Sequence, residues 1–572
     1  MARHHGRGLT RRQFLGATAA GGAALLAGGA GPLATAALAK KAVVDEDAPW
    51  FEATIPELQA LMAARQLTSR ELTAAYLNRI GDLNPSMGAI IETNPQAIGI
   101  AAQRDAERRR GRVRGPLHGI PIVLKDNIAT ADRMETTAGS YALQGSKVPA
   151  DAPLVAGLRR AGAVILGKAN LSEWANFRGF IPPPPFPHGW SARGGFTVNP
   201  YVLDWDPCGS SSGSATSAAL NFTSGAVGTE TDGSIICPAG NNSVVGLKPT
   251  VGLVSQQGII PISHSQDTAG PMTRTVTDAA IMLNAMRTPF GEVAGHSLPA
   301  DYRAFLTRGA LDGARIGVDR LNFTEEFFAL PELNAVTEAA LLVMEGLGAE
   351  IVDLALDDCP NPNDWFDAEF NVLLNEFKGD VAAYMSTLRK TEVRTLADLI
   401  QFNRDHCDQE MRYFGQELFE LAETFSGDPA DTAADRAACL QLTRAEGIDR
   451  LMTERNLDAI VSPAYSAGYS VAAVAGYASI SVPAGVAVDG RPGAVWMVGG
   501  FLDEPKLLAF AYDLEQELGA RPIPQFLGSP LPAFPNAGIC STLGTAAAGA
   551  KKMGKKEKAA LLRKARQSRR GR

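Results

Sequence analysis

The chain has 572 residues (60.3 kDa), of which 45% are hydrophobic and 20% charged. This is typical of a globular protein with a large core and excludes a disordered or fibrous one. Beyond residue 40 no run of about 20 consecutive apolar residues occurs, so the body is not a helical membrane protein. The net charge of −7 combines +4 in residues 1–39, +10 in residues 551–572 and −21 in residues 40–550. An acidic body argues against nucleic acid as a partner.

The first 39 residues form a predicted export signal. Arg11 and Arg12 precede a modestly apolar Ala/Gly/Leu stretch, and Ala37-Leu38-Ala39 is a small-x-small cleavage site. The pattern resembles a twin-arginine signal, whose folded cargo is carried by the twin-arginine translocase. We therefore expect an exported, periplasmic or extracellular protein that starts near Lys40 and keeps no stable membrane insertion. An uncleaved N-terminal anchor is the alternative.

Two Thr-x-x-Glu capping boxes, at Thr54 and Thr68, predict the starts of two successive helices. The second helix is expected to stop at Pro85. Alternating strands and helices follow along the chain. The predicted strands are 120–124, 163–166, 316–318, 351–354, 460–461, 480–482 and 495–498, and the predicted helices are 154–161, 332–346 and 506–518.

This alternation predicts an α/β fold. We expect one large domain over residues 40–545, with a mixed, mostly parallel central β-sheet covered by helices on both faces. Within it, residues 362–450 are acidic and helical with scattered aromatics, which indicates a helical layer packed on the sheet or a substrate-facing cap. Residues 546–572 form a basic tail, expected to be disordered and solvated or, alternatively, to adhere to anionic surfaces.

Cysteine and histidine patterns limit the possible chemistry. Six cysteines without a C-x-x-C pair do not form a disulfide scaffold, so we expect mostly buried thiols and at most one late-formed bridge. The histidines form no H-E-x-x-H motif and no cluster at metal-ligand spacing, and there is no P-loop. We expect neither a metal nor a cofactor.

A Gly/Ser-rich segment at residues 206–215 is the most unusual part of the chain. Residues 209–213 satisfy G-x-S-x-G, which would make Ser211 the nucleophile of an α/β-hydrolase elbow. That elbow needs a hydrophobic strand directly before it, whereas Asp204-Trp205-Asp206-Pro207 is no central strand. A flexible linker also fits poorly, because the segment runs directly into an apolar helix start at Ala215.

A second segment, residues 226–238, predicts a small-residue strand followed by a tight turn that contains Ser234. Such a turn presents one hydroxyl and several backbone N–H groups to a single point, which suits the stabilisation of an oxyanion. Alone this signal is weak. It gains weight from the Gly/Ser segment and from Lys125, which follows a predicted buried strand.

Several motifs in a fixed order resemble the amidase signature family. They span roughly residues 50 to 525 and are GPLHGIPIVLKDN (115–127), GSSSGS (209–214), GTETDGSIICP (228–238), VGLKPT (245–250), DTAGPM (267–272) and R-x-V-x-D (274–278). The resemblance implies the amidase signature fold and an amidase that hydrolyses amide C–N bonds. Lys248 and the pair Arg274 and Asp278 are expected to form structural ion pairs and not to bind substrate.

Carried over by position, the family's Ser–cis-Ser–Lys triad falls on Ser234, Ser210 and Lys125. The resemblance implies that Ser234 attacks the amide carbonyl, Ser210 relays the proton, and neutral Lys125 is the general base. A base near neutral pH requires a lysine pKa lowered by burial. The family's oxyanion hole would be formed by the backbone N–H groups of Thr231, Asp232, Gly233 and Ser234. Ser211 and Ser212 would stabilise the loop.

Departures from the usual family pattern narrow the range of expected substrates. Asp232 replaces a glycine, and Ile236 replaces an arginine that helps amidotransferase subunits to hold the carboxylate of glutamine. The segment around Ser234 and residues 246–255 look most like bacterial peptide amidases, which remove the C-terminal amide of peptides. We expect hydrolysis of a peptide carboxamide to a carboxylate and ammonia through an acyl-enzyme.

Four alternatives remain open: an amidase of small aliphatic or aryl amides, an amidotransferase-type subunit, another intracellular amidase, and a non-catalytic homologue. The intact Lys125, Ser210 and Ser234 argue against the last. The oligomeric state does not follow from the sequence.

Overall fold

The computed structural model describes residues 47–288, 291–327, 329–425, 428–519 and 521–541. The predicted export signal (1–39) and the predicted basic tail (546–572) lie outside the described residues. Within the described ranges, no helix is both long enough and apolar enough to cross a membrane.

Fifteen strands occur in the described chain. They are β1 (Ile90–Thr93), β2 (Pro121–Lys125), β3 (Val164–Ala169), β4 (Trp190–Ser191), β5 (Gly195–Phe196), β6 (Gly225–Glu230), β7 (Val245–Lys248), β8 (Thr268–Thr273), β9 (Glu292–Val293), β10 (His296–Ser297), β11 (Arg315–Val318), β12 (Glu350–Asp353), β13 (Ala459–Pro463), β14 (Ser479–Val486) and β15 (Pro492–Val498). Eleven of them form one sheet in the order β1-β3-β2-β6-β8-β7-β14-β15-β13-β11-β12, while β4–β5 and β9–β10 form small hairpins.

The sheet is mixed, as the sequence predicts, but the expectation that it is mostly parallel is wrong. Only the pairs β2–β3, β2–β6, β11–β12 and β11–β13 are parallel, and the other six are antiparallel. Connectivity accounts for two of these six pairs. No helix lies between β7 and β8 or between β14 and β15, so each pair folds back antiparallel without a crossover.

Sixteen α-helices surround the sheet in the described ranges. They are α1 (Ile55–Ala63), α2 (Ser69–Met87), α3 (Ala97–Arg109), α4 (Pro153–Arg160), α5 (Ser212–Ala219), α6 (Ile236–Asn241), α7 (Val276–Met286), α8 (Pro331–Gly346), α9 (Pro362–Thr387), α10 (Leu396–Asp405), α11 (Cys407–Glu410), α12 (Glu417–Thr424), α13 (Pro429–Leu440), α14 (Asp449–Glu454), α15 (Tyr469–Ala475) and α16 (Glu504–Leu518). A π-helical turn, Gln441–Ile448, joins α13 to α14.

Both predicted capping boxes are formed. The hydroxyl groups of Thr54 and Thr68 accept the backbone N–H groups of Glu57 and Glu71, whose carboxylates in turn accept the cap N–H groups. The predicted stop at Pro85 is wrong, because α2 continues to Met87. Proline is tolerated there since its ring only removes one hydrogen bond near the helix end, and Gly88 then ends the helix with a positive φ of 56°.

Helices α9, α10 and α12 contribute to an apolar cluster beside the main core. α9 packs on α12 and α13, and its buried face includes Phe377 and Val381. This cluster also takes in Leu143 and Leu171 from the loops that follow β2 and β3. These helices therefore cover loops at one end of the sheet, and Phe366 near the start of α9 lines the cavity described below.

Two disulfide bonds are present, Cys208–Cys237 and Cys407–Cys540. Cys359 and Cys439 are free, buried thiols. The expectation of at most one bridge is wrong. The Cys208–Cys237 bond could not be predicted from sequence spacing. Its cysteines are 29 residues apart and meet only when the Gly/Ser loop folds onto α6.

Candidate active site

Lys125 is the last residue of β2, a strand that is buried along its whole length between β3 and β6. Its side chain is fully buried. The Nζ atom donates hydrogen bonds to Ser210 Oγ at 2.8 Å, Thr229 Oγ1 at 2.9 Å and Thr229 O at 3.2 Å. Thr229 belongs to the neighbouring strand β6, so adjacent parallel strands hold the lysine in place.

Ser210 comes from the Gly/Ser loop before α5, and the peptide bond between Gly209 and Ser210 is cis. Ser210 is fully buried, and its hydroxyl donates to Ser234 Oγ at 3.0 Å. The structure therefore joins Lys125, Ser210 and Ser234 in one continuous line of hydrogen bonds. These are the three residues that the family resemblance singles out.

Ser234 lies in the turn between β6 and α6 and is 7% exposed. Gly233 has a positive φ of 77°, and a Cβ atom there would collide with the ring of Tyr469. The glycine thus allows both the turn and the close approach of the aromatic ring. Glu230 stabilises the following helix start by accepting the N–H groups of Ile235 at 2.7 Å and Ile236 at 3.0 Å.

The residues expected to form the oxyanion hole, Thr231, Asp232, Gly233 and Ser234, all lie in this turn. None of the described residues accepts a hydrogen bond from the backbone N–H of Gly233 or Ser234. The side chains have separate partners: Thr231 donates its hydroxyl to Asp267, and Asp232 accepts from Ser470 at 3.1 Å. The turn is thus held by side-chain contacts, while the backbone N–H groups of Gly233 and Ser234 stay available.

Burial lowers the pKa of Lys125 from 10.5 to about 7, because an ammonium group is poorly solvated inside the protein. The carboxylates of Asp267 and Glu230 oppose this and keep the pKa from falling further. Asp267 is itself buried, which raises its pKa to about 6. The lowered pKa makes the neutral amine of Lys125 accessible near neutral pH.

Ser211 and Ser212 stabilise the loop. Ser211 is fully buried, donates to Thr229 O at 3.1 Å and accepts Thr229 N–H at 3.2 Å, while Ser212 donates to Cys208 O. The residues before Ser211 form no strand, so the nucleophile-elbow interpretation has no structural basis.

The other motif residues expected to be structural are buried. Lys248 donates to Tyr477 O at 2.6 Å, and burial lowers its pKa to about 8. Arg274 donates to the carbonyl oxygens of Thr223, Ala218 and Ala53, while Asp278 accepts the N–H of Ile55. Their role is structural as predicted, but it operates through the backbone and not through an Arg274–Asp278 ion pair.

A cavity of about 530 Å³ opens beside the serines. Gly209 and Asp232, each within two residues of a candidate catalytic serine, line it. Aromatic side chains form much of the wall; they are Phe186, Phe366, Tyr465 and Tyr469. A cavity of this size accommodates a peptide-sized ligand.

The charges around the cavity have one sign. Its described lining residues include four carboxylates, from Asp206, Asp232, Glu326 and Asp367, and neither lysine nor arginine. His188 is the one lining residue that can carry positive charge, and it is engaged with Asp206 at 2.6 Å. The lining therefore offers little attraction to an anionic ligand.

Only one group of potential metal ligands occurs among the described residues, formed by His264, Glu376 and Asp380. His264 lies between the carboxylates, with its Nδ1 at 2.9 Å from Asp380. Glu376 already accepts the hydroxyl groups of Ser263 and Ser265. These contacts join the loop before β8 to α9.

Sequence reasoning missed several residues of the site. Thr229, a partner of Lys125, and Asp267, which raises the pKa of that lysine, lie inside matched motifs without a pattern that marks them. Tyr469 and the Cys208–Cys237 bridge carry no local signal. Only the fold brings them to Ser234.

Comparison with known proteins identifies the family. The family profile described as Amidase matches residues 71–469, more than half of the chain. The chain belongs to the amidase signature family. It is an amidase, a hydrolase of amide C–N bonds.

Among solved structures, this amidase is similar to the peptide amidase from Stenotrophomonas maltophilia, with 47% identity, a TM-score of 0.77 and coverage of 84% of this chain and 99% of that one. A probable amidase of Arabidopsis thaliana is 41% identical over 83% of this chain and 92% of its own length. A glutamyl-tRNA(Gln) amidotransferase subunit from Halorhodospira halophila is 33% identical over 81% of this chain and 96% of its own length.

Proposed function

We propose that this amidase hydrolyses the C-terminal carboxamide of peptides to a carboxylate and ammonia, with Ser234, Ser210 and Lys125 as catalytic residues. The observation that carries the proposal is the hydrogen-bonded line Lys125 Nζ–Ser210 Oγ–Ser234 Oγ, with distances of 2.8 and 3.0 Å. It connects a lysine whose pKa is lowered to about 7 to a serine beside an open cavity.

In the first half-reaction, neutral Lys125 accepts a proton from Ser210 while Ser210 takes the proton of Ser234. The Ser234 Oγ then forms a bond to the amide carbon, and the carbonyl oxygen becomes an oxyanion. The backbone N–H groups of residues 231–234 stabilise that charge. When the C–N bond breaks, the proton returns along the same line to the nitrogen, which leaves as ammonia.

In the second half-reaction, a water molecule takes the place of the ammonia that has left. It loses a proton through Ser210 to Lys125 and attacks the ester that Ser234 has formed. The ester C–O bond breaks, Ser234 recovers its proton, and the product acid gives its remaining proton to solvent and leaves as a carboxylate. No cofactor is needed, because these three side chains take the proton of each nucleophile and return it to each leaving group.

Two features support a peptide amide as the substrate. The cavity is large and partly aromatic, and its carboxylates disfavour a ligand that ends in a free carboxylate, such as glutamine. Ile236 stands where amidotransferase subunits are expected to have an arginine. The 47% identity to a peptide amidase agrees with this choice, although the 33% identity to an amidotransferase subunit keeps that role as the alternative.

The test compares four substrates. Ammonia release is measured for a dipeptide amide, a short aliphatic amide and free glutamine, and aniline release is measured for an anilide. We expect the dipeptide amide to give the highest kcat/KM and glutamine the lowest. Ser234→Ala is the control for contaminating activity. A higher kcat/KM for glutamine would overturn the substrate while leaving the amidase class intact.

We further propose that the protein is exported in folded form. Replacing Arg11 and Arg12 by lysine should leave folded precursor in the cytoplasm, because the translocase reads the arginine pair. Cell fractionation and the mass of the purified protein test this. Normal processing of the double variant, or in cells without that translocase, would contradict it.

A further inference from the structure

The two catalytic serines of the proposed mechanism come from different segments, and a disulfide bond joins these segments next to the serines. Cys208 lies two residues before Ser210, and Cys237 lies three residues after Ser234. The Cα atoms of the two cysteines are 5.9 Å apart. The bridge therefore fixes the separation of the loop that holds Ser210 and the helix start that follows Ser234.

Besides the packing of α5 against α6, hydrogen bonds also connect these segments. The N–H of Ser211 donates to Ser234 O at 3.2 Å, and the Asn242 side chain donates to Pro207 O at 2.9 Å. Within the described residues, the Cys208–Cys237 bond is the one cross-link between the two segments. Each hydrogen bond can exchange with water, whereas the cross-link cannot open without a reductant.

The second disulfide differs in location. Cys407–Cys540 joins α11 to the C-terminal segment, and neither of its cysteines lines the cavity. Cys208 and Cys237 both line it. The chain thus contains one bridge whose cysteines line the cavity and one whose cysteines do not, which allows a matched comparison.

We propose that Cys208 and Cys237 are positioning residues for the reaction: their disulfide holds Ser210 and Ser234 in register, so that the amidase is fully active only when this bond is oxidised. The inference rests on the proposed function. A dithiol such as dithiothreitol supplies two electrons and two protons, so the S–S bond becomes two thiols and the dithiol becomes a cyclic disulfide. The loop and α6 are then held by hydrogen bonds and by packing in the core, without a covalent link between them.

The expected effect falls on the chemical step. Proton transfer needs the two serine oxygens at hydrogen-bonding distance, and a displacement of about 1 Å can cost up to about 100-fold in rate. Reduction should therefore lower kcat by at least about tenfold. KM should change much less, because most of the cavity wall belongs to other segments.

The experiment starts from the oxidised full-length enzyme, assayed with a dipeptide amide and by the labelling rate of Ser234 with a fluorophosphonate probe. The enzyme is then treated with dithiothreitol, and mass spectrometry after alkylation reports which cysteines are thiols. We expect kcat and the labelling rate to fall as the Cys208–Cys237 bond is reduced to two thiols, and to recover on reoxidation. Circular dichroism checks that the fold persists.

Two double variants complete the test. Cys208→Ser with Cys237→Ser should reproduce the reduced state, whereas Cys407→Ser with Cys540→Ser should keep kcat, whatever its Tm. If the first variant fails to fold, reduction of the folded wild type decides. If the bridge resists dithiothreitol, the variant decides.

A folded enzyme with full kcat and both site thiols free would overturn the inference, since a bridge that only stabilises the fold lowers Tm and spares kcat. No labelling and no ammonia release in the oxidised enzyme would instead overturn the proposed function.

Discussion

Two fully buried lysines lie at the ends of neighbouring parallel strands, Lys125 on β2 and Lys168 on β3. Lys168 pairs in register with Leu124, so the two lysine side chains point to opposite faces of the sheet. Burial lowers the pKa of both, of Lys125 to about 7 and of Lys168 to about 8. Their desolvation is similar, but their surroundings are not.

The difference is in where the hydrogen bonds lead. Lys168 donates to Ile128 O at 2.6 Å and to Thr136 Oγ1 at 2.8 Å, and the Thr136 hydroxyl donates back to the same carbonyl at 3.4 Å. A proton given to Lys168 has no reactive group at the other end. Lys125 reaches Ser210, which reaches Ser234 beside the cavity. A lowered pKa thus allows general-base chemistry, but the connected hydroxyls decide which lysine performs it.

The largest effect on kcat should come from replacing Lys125, with the same replacement at Lys168 as the comparison. Lys125→Met should lower kcat by about 10⁴-fold or more, since no group can then take the Ser234 proton. Lys168→Met should keep kcat within about threefold but reduce the free energy of unfolding by about 1–3 kcal/mol, because it leaves buried acceptors unsatisfied. Steady-state kinetics and urea denaturation measure both. A large loss of kcat in a folded Lys168→Met enzyme would contradict the comparison.

A smaller loss should follow from removing the relay. Ser210→Ala leaves Lys125 and Ser234 in place, and a water molecule can bridge them imperfectly, so we expect kcat to fall by about 10²- to 10³-fold. The double variant with Lys125→Met should be no worse than Lys125→Met alone, since both residues belong to one proton path. Additive losses would mean that Ser210 acts independently of the lysine.

The pH dependence should change moderately. Lys125 must be neutral to act, so kcat/KM should rise with pH through an apparent pKa of about 7. The Asp267 carboxylate raises that pKa, and Asp267→Asn should therefore shift the acidic limb to lower pH. Asp319→Asn, which changes a buried carboxylate that is not among the charges shifting Lys125, is the control. An upward shift in Asp267→Asn would contradict the assignment of this limb to Lys125.

The smallest effect is expected at Ser211. Ser211→Ala removes hydrogen bonds to Thr229 but no catalytic group, so labelling at Ser234 should persist with a modest loss of rate. Peptide mapping of the labelled enzyme identifies the site. Labelling at Ser211, together with activity in Ser234→Ala, would refute the whole mechanism.

Local signals in the sequence predict much of this arrangement. The capping boxes at Thr54 and Thr68 depend on side chains three residues apart, and the structure forms both. The ordered motifs around Lys125, Ser210 and Ser234 identify the family because each motif is contiguous.

Properties that depend on distant segments could not be predicted. Strand direction in the centre of the sheet follows from connections such as β7 to β8, which carry no helix, and the cysteine pairing needs the folded loop. The burial of Lys168 could not be predicted, because a single lysine after an apolar stretch is typical of the end of a strand. Its buried acceptors become visible only once β3 lies beside β2.

The two edge strands of the sheet affect whether the protein self-associates. An open sheet ends in strands whose outer backbone groups could pair with another chain. Both edge strands, β1 and β12, have only four residues and carry acidic side chains, including Glu92 and Glu350. Arg315 forms an ion pair with Glu350 that a docking strand would disturb. Short, charged edges therefore protect this large sheet from strand-to-strand aggregation at high concentration.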